Sequence, residues 1–142
     1  MIRVLTPDFA VAPQIEVDDL AEIAGAGFVA VINNRPEDEE TGQPVGAALE
    51  AAAAASGLSY VAIPVGHAGF GHPQLDAMAA ALASATGPVL AFCRSGTRSC
   101  NLWALTMAKG GADPETLVRQ AAGAGYDLSG IRPTLDALAA GA

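Results

Sequence analysis

Gly87-Pro88-Val89-Leu90-Ala91-Phe92-Cys93-Arg94-Ser95-Gly96-Thr97-Arg98-Ser99 is the stretch on which the reading of this chain turns. Pro88 to Phe92 has the length and apolar continuity of a strand buried on both faces, while Ser99 to Lys109 carries apolar residues at helical spacing. The loop between them is short. Amides that turn from a strand end into a helix N-terminus point inward together and, with the helix dipole, favour a bound anion. Gly96 lets that backbone curl without a side chain in the way. Cys93 at the loop floor is expected to act as a thiolate nucleophile, because amide donors and arginines favour its ionised form. Arg98, with four residues between it and Cys93, is placed to hold two oxygens of an oxyanion in its planar fork. Arg94, Ser95, Gly96, Thr97 and Ser99 complete the expected anion-binding loop, with Ser99 capping the helix and hydrogen-bonding Cys93. A cysteine at a strand end is by itself more often a small buried hydrophobe. Strand, cysteine, glycine turn, arginine and helix together outweigh that reading.

Composition narrows the partners. The 142 residues suit one domain, residues 1–142, with a core that needs no disulfide or metal staple. Two cysteines, Cys93 and Cys100, do not make a disulfide framework, no metal-ligand spacing of Cys or His appears, and no cofactor is expected. The start, Met1 to Asp8, lacks the apolar core of a signal peptide, and the alanine-rich segments are too interrupted to span a bilayer, so a cytoplasmic location is expected with no membrane partner. Seven basic residues against fifteen acidic ones give a net charge of −8, which disfavours nucleic acid. An anion site in such a chain needs local positive charge, and Arg94 and Arg98 supply it.

Strands and helices alternate along the rest of the chain. Arg3 to Pro13 reads as two extended pieces around Thr6-Pro7-Asp8, forming a sheet edge. A helix over 17–24 leads to a buried strand, Phe28 to Ile32, ending in the polar loop Asn33-Asn34-Arg35-Pro36. Parallel strands would bring that loop to the same sheet edge as Cys93, where ligands gather. Arg35 is then a candidate anion contact, or else a loop arginine paired with Asp38 or Glu39. Glu37 to Pro44 reads as a solvated loop. Helix 45–56, a strand within 58–65 and a glycine-rich flap, Gly66 to Pro73, follow, the flap carrying both histidines. His67 or His72 can donate a proton or steer a substrate, although a loop histidine is more often plain surface. Helices are expected over 74–85, 114–122 and 133–140. Cys100 is read as a buried helical residue, with resolution of an oxidised or persulfidated Cys93 as the alternative. The whole reads as an α/β three-layer sandwich with a largely parallel central sheet.

These residues resemble a bacterial family, the domain of unknown function 442, also called the phosphatase-like domain of beta-lactamase-hydrolase-like proteins. The similarity runs through Leu5-Thr6-Pro7, Val31 to Pro36, Gly42-Gln43-Pro44, Tyr60 to Val65, Gly87 to Ser99 and Ala122 to Ser129. It implies a dual-specificity-phosphatase-like fold, and relatives joined to a persulfide dioxygenase domain point to sulfide metabolism. Cysteine phosphatases carry five residues between Cys and Arg, a His before the Cys, and an aspartate on a separate loop. This chain has four, Phe92 at the His position, and His67 where the acid is sought, with Asp76 the nearest carboxylate. The loop is also similar to that of rhodaneses, whose leaving sulfite or thiolate needs little protonation. The first reading is therefore a rhodanese-type sulfurtransferase, with thiosulfate or a persulfide as donor, a Cys93 persulfide intermediate and a thiol acceptor. Phosphomonoester hydrolysis through a phosphocysteine is the alternative, and a persulfide carrier or sensing module is a third, non-catalytic one.

Overall fold

In the computed structural model, which describes all 142 residues, a hairpin opens the chain: β1 (Arg3–Thr6) and β2 (Phe9–Ala12) pair antiparallel. Next come α1 (Asp19–Gly25), β3 (Ala30–Asn33), α2 (Gly46–Ala55), β4 (Ser59–Ala62) and α3 (His72–Ser84). The cysteine stretch supplies β5 (Val89–Phe92) and α4 (Thr97–Lys109). Helices α5 (Pro114–Gly123) and α6 (Arg132–Ala140), with a short 3-10 turn at Ser129–Ile131 between them, close the chain.

The sheet order is β1-β2-β5-β3-β4, and every pairing except β1 with β2 is parallel. Strand β5 lies at the centre because all four of its residues are apolar and buried, the composition of a strand covered on both faces. β4, at one edge, is mostly exposed. One correction concerns the N-terminal pieces, expected to lie together at an edge. Only β1 does, whereas β2 is fully buried and pairs in parallel with β5, Ala12 opposite Phe92. Its apolar Phe9-Ala10-Val11-Ala12 run is too uniformly hydrophobic for an edge position.

Helices cover both faces. Leu20 and Ile23 of α1 with Leu49 and Ala53 of α2 bury one face around Val31, Leu90 and Phe92. The other, larger core joins Met78 of α3, Leu117 of α5 and Leu135 of α6 to α4. α4 is buried on most of its surface, and its Trp103 stacks on Phe9 at 5.7 Å. The parallel order brings the C-terminal ends of β2, β3, β4 and β5 to one edge, where Pro13, Asn34, Ile63 and Cys93 emerge side by side. No helix is long and apolar enough to cross a membrane.

Candidate active site

The loop from β5 to α4 is held from both sides. Cys93 N–H donates to the Ala12 carbonyl at 3.4 Å, Gln14 N–H to the Arg94 carbonyl at 3.4 Å, and Asn34 N–H to the Phe92 carbonyl at 2.9 Å. Helix α4 starts at Thr97, two residues before the expected Ser99, because Gly96 takes the left-handed conformation (φ 90°) at the N-cap. That turn folds Gly96 N–H back onto Cys93 Sγ, which accepts it at 3.0 Å. The amides of Arg94, Ser95, Arg98 and Ser99 have no acceptor within the protein. Unpaired donors at a strand end and a helix N-terminus make a ready anion site.

Cys93 is 0% exposed, so a small ligand reaches the sulfur only when a group over it moves. Ser99 is buried, and its Oγ has no partner: it neither caps α4 nor bonds to Cys93, contrary to expectation, because Gly96 already occupies the cap. Ser95 Oγ lies 3.1 Å from Thr97 Oγ1 on the exposed rim. Cys100 N–H donates to the Gly96 carbonyl at 2.9 Å, and burial followed by the proximity of Cys93 pushes its thiol up to about 12. Cys100 therefore remains a protonated packing residue at neutral pH.

Arg98 does not stand free. Its Nη1 donates to Glu39 Oε2 at 2.7 Å and to the Val65 carbonyl at 2.9 Å, and its Nη2 to Glu39 Oε1 at 2.7 Å. Glu39 is shared with Arg35, whose Nε donates to Oε1 at 2.7 Å. Arg35 is 3% exposed and also donates through Nη1 to Gln14 at 2.8 Å. Its Nη2 lies 2.9 Å from Glu40 Oε1 but out of line for a hydrogen bond, a charge contact. Glu40 reaches on to Arg94 at 3.4 Å. An alternating chain, Arg98–Glu39–Arg35–Glu40–Arg94, thus ties both ends of the cysteine loop to the 35–40 segment. Of the two sequence readings of Arg35, the ion pair with Glu39 is the one its geometry matches.

Sequence reasoning offered Glu39 only as a partner for Arg35 within a solvated loop; it missed the pairing of Glu39 with Arg98 and the whole part played by Glu40. The segment is held by several contacts of its own. Asn33 Oδ1 accepts Arg35 N–H at 2.9 Å, and Asp38 turns the chain at φ 56°. Gln43 then clamps the turn, donating to the Pro36 carbonyl at 2.8 Å and accepting from Glu39 N–H at 3.1 Å. The Arg98 hydrogen bonds, then those of Arg35, pull the Glu39 carboxyl down to about 2. It is a carboxylate at any ordinary pH. The i,i+4 spacing of Arg35 and Glu39 was no signal in the sequence, because the segment is a turn rather than a helix.

Of the other acid/base candidates, His67 is exposed on the flap that follows Val65, the residue whose carbonyl accepts from Arg98, and makes no hydrogen bond of its own. Asp76 and His72 both meet Lys109 Nζ at 2.8 Å. Lys109 is the last residue of α4, roughly 18 Å along the helix from Thr97 at a rise of 1.5 Å per residue. That removes Asp76 and His72 from the cysteine loop. Nowhere do three or more His, Cys, Asp or Glu side chains gather to hold a metal ion.

Residues 1–110 match the family described as beta-lactamase hydrolase-like protein, phosphatase-like domain. A Beta-lactamase hydrolase-like protein of Agrobacterium fabrum is 37% identical over 101 residues, 71% of this chain but 23% of that relative's length. This chain therefore spans about a quarter of the curated relatives it matches. A crystal structure from Neisseria meningitidis, of a protein provisionally named a phosphatase, superposes with a TM-score of 0.84 at 30% identity, covering 96% of this chain and 97% of that one. A Shewanella putrefaciens structure of the domain of unknown function 442 shares the fold, with a TM-score of 0.74 at 21% identity over 99% of this chain and 87% of the other.

Proposed function

The chain belongs to the family of phosphatase-like domains of beta-lactamase hydrolase-like proteins, and from that premise we propose that it is a cysteine-dependent phosphatase acting on phosphomonoesters. This reverses the order of the two enzyme readings drawn from the sequence, since the family whose model matches is described as phosphatase-like and the Neisseria meningitidis neighbour that shares the fold is provisionally named a phosphatase. The observation that carries the proposal is the convergence of Gly96 N–H on Cys93 Sγ beside four loop amides that have no protein acceptor. Donors so placed match the oxygens of a tetrahedral anion bound above the sulfur.

In the first step the Cys93 thiolate attacks phosphorus, the bond to the ester oxygen breaks, and the leaving group departs with the electron pair, taking its proton from water. In the second, water attacks the phosphocysteine, its proton passes to solvent, and phosphate leaves with the thiolate restored. Arg98 turns its fork from Glu39 onto the phosphoryl oxygens as the anion enters. Arg94, Ser95, Gly96, Thr97 and Ser99 are proposed as the anion-binding loop, and Arg35 as the residue that retains Glu39 when Arg98 moves. Glu39, held ionised, is no proton donor. General acid help typically contributes about 10²–10⁴-fold, so aryl phosphates and anhydrides are the expected substrates rather than alkyl esters.

That same ionised Glu39 favours one second reading, sulfur transfer from thiosulfate or a persulfide, whose sulfite or thiolate leaving group needs no proton. A thiol acceptor and a persulfide dioxygenase partner belong to that reading. Aryl phosphate hydrolysis measured beside thiosulfate:cyanide sulfur transfer, each with Cys93→Ser as control, separates them. Phosphate release lost in the variant supports hydrolysis; sulfur transfer alone reverses the ranking; a stable Cys93 persulfide without turnover indicates a carrier module.

A further inference from the structure

Tyr126 lies beyond residues 1–110, in the turn after α5, yet it reaches the cysteine loop. Gly125 at φ 94° makes the turn, and Tyr126 N–H returns to the Ala121 carbonyl at 2.9 Å. From β1, Arg3 lies over the phenol ring, 5.6 Å from its centroid, and its Nη1 donates to the Ala124 carbonyl at 2.8 Å. So held, the Tyr126 hydroxyl donates to the Ser95 carbonyl at 3.2 Å and lies against the Gly96 Cα, where a side chain would overlap it.

The peptide between Ser95 and Gly96 is one rigid plane with its C=O and N–H pointing in opposite directions. Its outward oxygen is the one Tyr126 holds, and its inward N–H is the one on Cys93 Sγ. We propose that Tyr126 is a positioning residue: by donating to the Ser95 carbonyl it fixes the Ser95–Gly96 peptide so that Gly96 N–H stabilises the Cys93 thiolate. The two hydrogen bonds share one amide and polarise each other. Burial pushes the phenol above its ordinary value, so it stays a donor across the working range. This inference rests on Cys93 acting as a thiolate nucleophile, and it adds the residue that orients its principal amide donor.

The titratable and charged groups around Cys93 are Arg98 with its partner Glu39, Cys100 on α4, Arg94 in the loop, and Tyr126 itself. Tyr126→Phe alters none of the first four and keeps the ring under Arg3. The test is alkylation of Cys93 by iodoacetamide as a function of pH, read by mass spectrometry on the full chain. In Y126F the profile is expected to move to higher pH, with a roughly three- to tenfold lower rate at neutral pH and an unchanged high-pH plateau. An unshifted profile, or the same fall at every pH, overturns the inference. Should Y126F not fold, Arg3→Gln, which frees the ring, is expected to give a smaller shift in the same direction, and its absence counts equally against it. Because alkylation needs no turnover, failure here differs from failure of the phosphatase reading, which shows as phosphate release surviving Cys93→Ser.

Discussion

At the scale of single residues, the site is governed by which charges are already paired. Three arginines surround the loop, and two glutamates occupy them, so a net single positive charge remains among Arg35, Arg94, Arg98, Glu39 and Glu40. Arg98→Ala removes the only guanidinium that both reaches the cysteine loop from α4 and pairs with Glu39. Steady-state kinetics on an aryl phosphate should show KM raised about tenfold or more, with the melting temperature changed far less; an unchanged KM removes Arg98 from the anion site. Glu39 carries the pH dependence. Its folded value of about 2 lies below the ordinary 4.5, so its stabilisation is complete above about pH 4.5 and is lost as pH falls through about 2. Glu39→Gln should therefore be less stable at pH 7 by about 1–3 kcal/mol, and the gap to the parent should narrow steadily on acidification. A gap independent of pH in denaturant titrations would contradict the ion-pair account.

At the scale of elements, the loop's geometry is set by two turns, one legible in the sequence and one not. Val89 to Phe92 could be read as a buried strand because an unbroken apolar run of that length suits few positions outside a sheet centre. Gly96 could be read as a turn because a lone glycine between strand and helix marks where the chain must curl. The 36–43 turn could not be read this way, since acidic, turn-rich text looks the same whether it is solvated or folded onto two arginines. Its Gln43 clamp becomes visible only when Pro36 and Glu39 are seen in space. Gln43→Ala is expected to loosen Glu39 and raise KM severalfold while leaving the melting temperature nearly unchanged. Gly96→Ala is the harsher change. A φ of 90° is strained for any L side chain, and the new methyl would overlap the Tyr126 hydroxyl and lie 3.6 Å from the Ala12 carbonyl carbon. A loss of about 1–3 kcal/mol, seen as a melting temperature lower by about 3–10 °C, should accompany loss of activity. A fully stable G96A protein would mean that the turn is not fixed as described.

For the whole molecule, the three layers and the parallel sheet were legible from alternating patterns, whereas the inner place of β2 was not, because a short apolar run near a terminus reads equally as edge or centre. The family match stops at residue 110, but the core does not: Leu117, Leu128 and Leu135, all from the last thirty-odd residues, are at most 2% exposed. Full burial of each is worth about 1.5–3 kcal/mol, together comparable to the stability of an entire domain. A chain cut after residue 112 is expected to lose cooperative unfolding by circular dichroism; a truncated chain that melts like the parent would contradict this packing. The same segment brings Tyr126 to the cysteine loop, so the C-terminal helices support both core and site. The central claim is that Cys93 is the nucleophile in phosphoryl transfer, and rapid acid quench during aryl phosphate turnover, followed by peptide mass spectrometry, tests it most directly. The prediction is a Cys93 peptide heavier by one phosphoryl group that disappears in Cys93→Ser together with phosphate release; phosphate released at the parental rate by that variant would contradict it.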